Sequence, residues 1–140
     1  MSTLKNQCHQ YKFAILNLEE TITRCRLENG VDQVTIDAMI RRFKICMILA
    51  EKNIKMYLKD NMPIKTMTPK KLIKEAYRVG VINNTDDWLD MLDDKNKSIY
   101  AYNEIIKNNI INNHYKLLNK LSMLYNSKEK EVHPACGTIT

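Results

Sequence analysis

The chain has 140 residues, enough for one domain with a single hydrophobic core, and its 44% apolar and 27% charged residues are ordinary globular values rather than those of a disordered, collagen-like or disulfide-knot chain. Three Gly and three Pro leave little turn chemistry for a many-stranded sheet. The formal net charge is +6, and it is unevenly carried.

Leu4, Cys8, Tyr11, Ile15, Leu18, Ile22 and Cys25 recur at alternating spacings of four and three, the stripe that one face of a long helix requires. Asn29-Gly30 ends it. Ile36, Ile40, Phe43, Met47, Ala50, Ile54 and Tyr57 repeat the pattern before Pro63, so two long helices joined by a short turn should pack antiparallel. Thr68-Pro69 reads as an N-cap with proline at the first helical position, and Gly80 as the left-handed residue past the end of a short third helix. Asn84, Thr85, Asp86 and Asp87 start a fourth, with Trp88, Leu89, Met91 and Leu92 on its buried side and a break expected near Asp94-Lys95-Asn96. A last long helix is expected from about Tyr102 to Tyr125, on a stripe through Ile106, Ile110, Leu117, Leu121 and Leu124. The expected fold is all-α, an antiparallel four-helix-type up-and-down bundle with short additional helices. It is one domain over 1–126, with a flexible tail over 127–140.

Charge is segregated. From Arg41 to Glu75 ten cations (Arg41, Arg42, Lys44, Lys52, Lys55, Lys59, Lys65, Lys70, Lys71 and Lys74) face three acids (Glu51, Asp60 and Glu75), and then Asp86, Asp87, Asp90, Asp93 and Asp94 follow without a base. Such a layout fits nucleic acid on one side, charge-complementary association of subunits, or two solvated faces.

Most chemistry-bearing patterns are missing from the sequence. It holds no Gly-rich phosphate loop, nucleophile elbow, HExxH or EF-hand loop. Cys8-His9 and His133-Pro-Ala-Cys136 would supply zinc donors only if the two ends met, and Cys8 on the apolar stripe reads against it, so no metal and no cofactor are expected. The cysteines, at 8, 25, 46 and 136, lack CxxC spacing and read as thiols in a reducing compartment. His114, in register with Ile110 and Leu117, reads as a hydrogen-bonded bundle histidine rather than a ligand. No apolar run approaches the roughly 20 residues that span a bilayer, and Met1 to Gln10 lack a signal-peptide core, so a cytoplasmic protein without membrane association is expected.

One stretch carries more. Thr68-Pro69, Ile73, Glu75-Ala76, Gly80-Val81-Ile82, Trp88-Leu89, Met91-Leu92, Asp94, Asn96, Ser98, Tyr102 and Glu104, with Ile40-Arg41-Arg42-Phe43 and Tyr57-Leu58 upstream, resemble the pattern of the nucleotidyltransferase substrate-binding proteins of the HEPN superfamily. That resemblance implies a helical bundle, a homodimer and a minimal nucleotidyltransferase as partner. It places a nucleotide- or RNA-binding site at Lys95, Asn96, Ser98, Tyr100 and Tyr102, and makes Tyr102 the candidate acceptor of AMP. RNA-cleaving members of the superfamily carry Arg-x4-His-x-Tyr, where this chain has Lys95, Tyr100 and Tyr102. Lysine lacks the bidentate fork of arginine, and a phenol with a pKa near 10 is no neutral-pH proton shuttle. Lys44, Ile48 and Glu51 also stand where the family usually shows Glu, Glu and Trp. The expectation is therefore a non-catalytic substrate-binding subunit with a degenerate ribonuclease motif. The alternative is a ribonuclease toxin of a toxin–antitoxin pair, in which Lys95 holds the scissile phosphate and a tyrosine stands in for the acid.

Overall fold

The computed structural model describes residues 4–27, 32–58, 67–97 and 104–121. The Leu4 side chain, Asn29-Gly30, Pro63, Leu124, Tyr125 and the 127–140 tail lie outside the described residues. Among the described residues the regular structure is helical: α1 (Leu4–Leu27), α2 (Gln33–Leu58), α3 (Pro69–Arg78), α4 (Thr85–Lys97) and α5 (Glu104–Asn109). α5 runs into a π-helical turn (Ile110–His114) and resumes as α-helix over 115–121. The expected all-α bundle is the observed fold.

The two heptad-like stripes become the α1–α2 hairpin. Cys8, Tyr11, Ile15, Leu18 and Ile22 on α1 and Ile36, Ile40, Phe43, Met47, Ala50 and Ile54 on α2 are buried, while Cys25 and Tyr57 at the stripe ends are half-buried. Gln10, Phe13 and Asn17 of α1 line one groove with Arg42, Ile45 and Leu49 of α2, and with five residues between two packed helices of 24 and 26 residues the pair is antiparallel. The Arg42 Nη1 donates to the Asn17 carbonyl at 2.7 Å and pins the register. Each fully buried Leu, Ile or Phe contributes about 1.5–3 kcal/mol, which makes this hairpin the main source of stability.

α3 is bounded by its sequence. The Thr68 Oγ1 accepts from the Lys71 N–H at 3.2 Å, with Pro69 at the first helical position. At the other end Gly80 takes φ 85°, its N–H bonds to the Tyr77 carbonyl at 3.1 Å, and the Val81 N–H bonds to the Ala76 carbonyl at 2.8 Å. That is a Schellman closure, with buried Val81 against buried Ala76 as its apolar contact. α4 starts where the Asn84 Oδ1 caps the Asp87 N–H at 3.1 Å. It ends at Lys97, one residue past the Asp94-Lys95-Asn96 stretch near which the sequence led us to expect a break. Asp93 and Lys97 pair at 2.8 Å across one turn, and Asp94, three residues past Met91, keeps to the buried side.

The last helix departs from the expected stripe. Its buried residues are Ile106, Ile110, His114, Leu118 and Leu121, with Leu117 only half-buried. Three successive spacings of four overshoot an α-helical face by about 40° each. The π turn absorbs the overshoot, the Tyr115 N–H reaching back to the Ile110 carbonyl and so holding an extra residue in the turn. This helix lies antiparallel to α1, tied by Arg26 Nη2 to the Ile111 carbonyl at 3.2 Å, the Tyr115 hydroxyl to Glu19, and the Tyr11 hydroxyl to the Leu118 carbonyl at 2.6 Å.

Candidate functional site

Of the five residues that the sequence marks as a site, the structure describes two. Lys95 sits in the last turn of α4, half-buried, in a crevice of about 20 Å³ between α2, α3 and α4 that it shares with Glu51, Pro69 and Trp88. Asn96 follows it, exposed. Ser98, Tyr100 and Tyr102 lie outside the described residues. Trp88 is 4% exposed and belongs to the core, as its place on the apolar side of α4 implies. Glu51 of α2 is half-buried at this crevice.

Immediately before Lys95 the structure holds a polar cluster that sequence reasoning did not assemble. Asp94, 8% exposed, points toward the last helix, where its Oδ2 accepts from Asn109 Nδ2 at 3.0 Å and meets His114 Nε2 at 2.8 Å. His114 is 3% exposed and its ring stacks on Phe43 of α2, centroids 5.3 Å apart and planes 18° off parallel. Among the described residues His114 Nδ1 has no hydrogen-bond partner. The sequence signals were present separately: a histidine on the Ile106–Ile110 stripe, and an aspartate three residues past Met91.

A cleft of about 590 Å³ opens beside this cluster. Asp87, Asp90 and Asp93 of α4 form one wall, and Asn109, Asn112 and Asn113 of the last helix the other. Among the described residues no three His, Cys, Asp or Glu side chains group closely enough to hold a metal ion.

The side chains with shifted ionisation are not activated nucleophiles. Burial pushes the Cys46 thiol up to about 12, so the sulfur stays protonated inside the α2 seam. Burial, then the hydrogen bond to Glu19, pushes the Tyr115 phenol up to about 12. The Lys97 ammonium is held charged above its ordinary range by its hydrogen bond to Asp93. What the arrangement does is positional: the Asp94 carboxylate locks the turn that bears Lys95 and Asn96 to the last helix.

No helix among the described residues is long and apolar enough to cross a membrane. A crystal structure of a protein from Thermus thermophilus is similar to this one, with a TM-score of 0.61 at 22% identity over 88% of this chain and 98% of that chain, a likeness of fold. No curated protein matches the sequence. A family model described as nucleotidyltransferase substrate binding protein like matches residues 6–130. The bundle and the block from Thr68 to Glu104 thus fall within that match, and the chain belongs to the nucleotidyltransferase substrate-binding-protein-like family.

Proposed function

We propose that the chain is a non-catalytic substrate-binding and interaction subunit working beside a separate minimal nucleotidyltransferase, which holds the ATP-dependent chemistry. The family match over 6–130 carries this reading. Lys95 and Tyr100, in place of the arginine and histidine of RNA-cleaving relatives, support its non-catalytic part. In this reading Lys95, Asn96, Ser98, Tyr100 and Tyr102 meet a nucleotide, an RNA end or the partner's active site. Tyr102 is the acceptor: its phenol oxygen attacks the α-phosphorus of ATP, pyrophosphate leaves, and the partner enzyme supplies the metal and the base that takes the phenolic proton.

The reading includes a homodimer. Phe13, 67% exposed, lines a groove with Ile45 on the α1–α2 hairpin, and with Leu16, 61% exposed on α1, offers apolar area for a second copy. Phe13→Asp is then expected to shift the sedimentation coefficient to that of a monomer.

The test is retention and modification. Tagged protein should retain a nucleotidyltransferase from its own lysate and, with ATP, gain the mass of one AMP that Tyr102→Phe does not gain. Two results overturn the reading: RNA cleavage by the wild type that Lys95→Ala abolishes, or failure to retain a nucleotidyltransferase together with failure to bind any nucleotide or RNA.

A further inference from the structure

The solvent side of α3 has one chemical character. Lys70, Lys71, Lys74 and Arg78 are exposed and Tyr77 is 53% exposed, while Leu72, Ile73 and Ala76 turn inward. At 3.6 residues per turn Lys70, Lys74 and Tyr77 share one stripe and Lys71, Lys74 and Arg78 the next, so an aromatic ring lies among four cations along a helix about 15 Å long. Glu75, the acid of this helix, bonds to Arg78 at 2.7 Å; such an exposed pair is weak, and the guanidinium can exchange it for a phosphate.

We propose that this face binds single-stranded nucleic acid, its cations on successive phosphates and the Tyr77 ring stacked on a base. Charge complementarity selects a polyanion, and the ring selects one with unstacked π-faces, which a duplex does not offer. The neighbouring helix sets the limit of the track: Asp86, Asp87, Asp90 and Asp93 on α4 are all exposed and repel the same ligand. In the other direction the N-terminal end of α3 leads to Lys95, which shares a crevice with Pro69. This surface lies outside the five motif positions, and the inference does not rest on a nucleotidyltransferase partner, so the chain alone tests it.

The experiment is fluorescence anisotropy of a labelled oligouridylate against the full chain over a range of salt, with oligothymidylate and a duplex of the same length as further arms. Binding should weaken steeply with salt. The Lys70→Gln/Lys71→Gln/Lys74→Gln variant should bind at least tenfold more weakly, with a slope of log K against log salt shallower by about 2. Tyr77→Ala should cost roughly tenfold, and Tyr77→Phe, which keeps the ring, should stay near wild type. Circular dichroism should show unchanged melting for all of them, because the replaced side chains are exposed. The proposal is overturned if the wild type binds none of the oligonucleotides, if the triple variant binds as the wild type does, if Tyr77→Ala is silent, or if duplex binds as tightly as single strand. Loss of the nucleotidyltransferase partnership would leave every one of these readings unchanged.

Discussion

The α1–α2 seam and the seam between α4 and the last helix are closed by different physics. The first is nearly all apolar: Tyr11, Leu18, Ile22, Met39, Phe43 and Ile54 fill it at 2% exposure or less. The second places a carboxylate, an imidazole and a carboxamide together at a site where the two helices meet beside an open cleft. Apolar contact is non-directional and tolerates small slips of one helix past another. The Asp94–His114 contact does not: a shift of one residue separates the atoms and leaves polar groups buried without partners. The hairpin therefore supplies stability, and the polar seam fixes where the turn carrying Lys95 lies.

Substitutions can separate these roles. The largest effect is expected in the dry seam, where Leu18→Ala should cost about 2–5 kcal/mol of unfolding free energy by chemical denaturation, through lost burial and the cavity left behind. In the polar seam Asp94→Ala strands His114 and should cost about 2–3 kcal/mol, whereas Asp94→Leu/His114→Leu removes both partners and should return close to wild type. Asn109, half-buried at the cleft, turns to water in that double variant. If the losses in the single variants Asp94→Leu and His114→Leu simply add up to that of the double, the seams do not differ in kind. Exchange of the Lys95 and Asn96 amides then reads the positional role: it should quicken in the double variant while the α1–α2 amides stay protected.

The same contrast explains what was legible in the sequence. Periodic burial is a local property, so the stripes on α1 and α2 appear as spacings, and the caps appear because Thr68, Asn84 and Gly80 meet backbone requirements within a few residues of themselves. The polar seam is a long-range property. Asp94 and His114 are 20 residues apart, and they meet only because a π turn rephases the last helix. No local pattern in Ile110-Ile111-Asn112-Asn113-His114 announces that turn, and for the same reason Leu117 was expected in the core where Leu118 is found.

Smaller effects sharpen the local side of the contrast. Gly80→Ala should cost about 1 kcal/mol, since φ 85° is strained for any side chain; an added Cβ would meet nothing within 4 Å, so the loss is purely conformational. A larger loss, measured by thermal melting, would mean that the α3–α4 turn is packed from a side that a local account of it omits.

The smallest effect is a pH dependence at the start of the dry hairpin. Asp32 caps α2, its Oδ1 accepting from the Thr35 N–H at 2.8 Å, and that bond holds its carboxyl below the ordinary 3.8. A folded-state value below the unfolded one means that the cap contributes fully above pH 3.8 and loses its contribution as pH falls through the lower folded value. Asp32→Asn keeps a capping oxygen without a titrating proton, so its acid unfolding limb should be slightly shallower than that of the wild type, with the two curves parallel near neutrality. Curves that stay parallel through the acid limb would mean that the cap is equally formed in the unfolded chain. Stability of the hairpin would then come from its apolar seam with no part for the charge at its head.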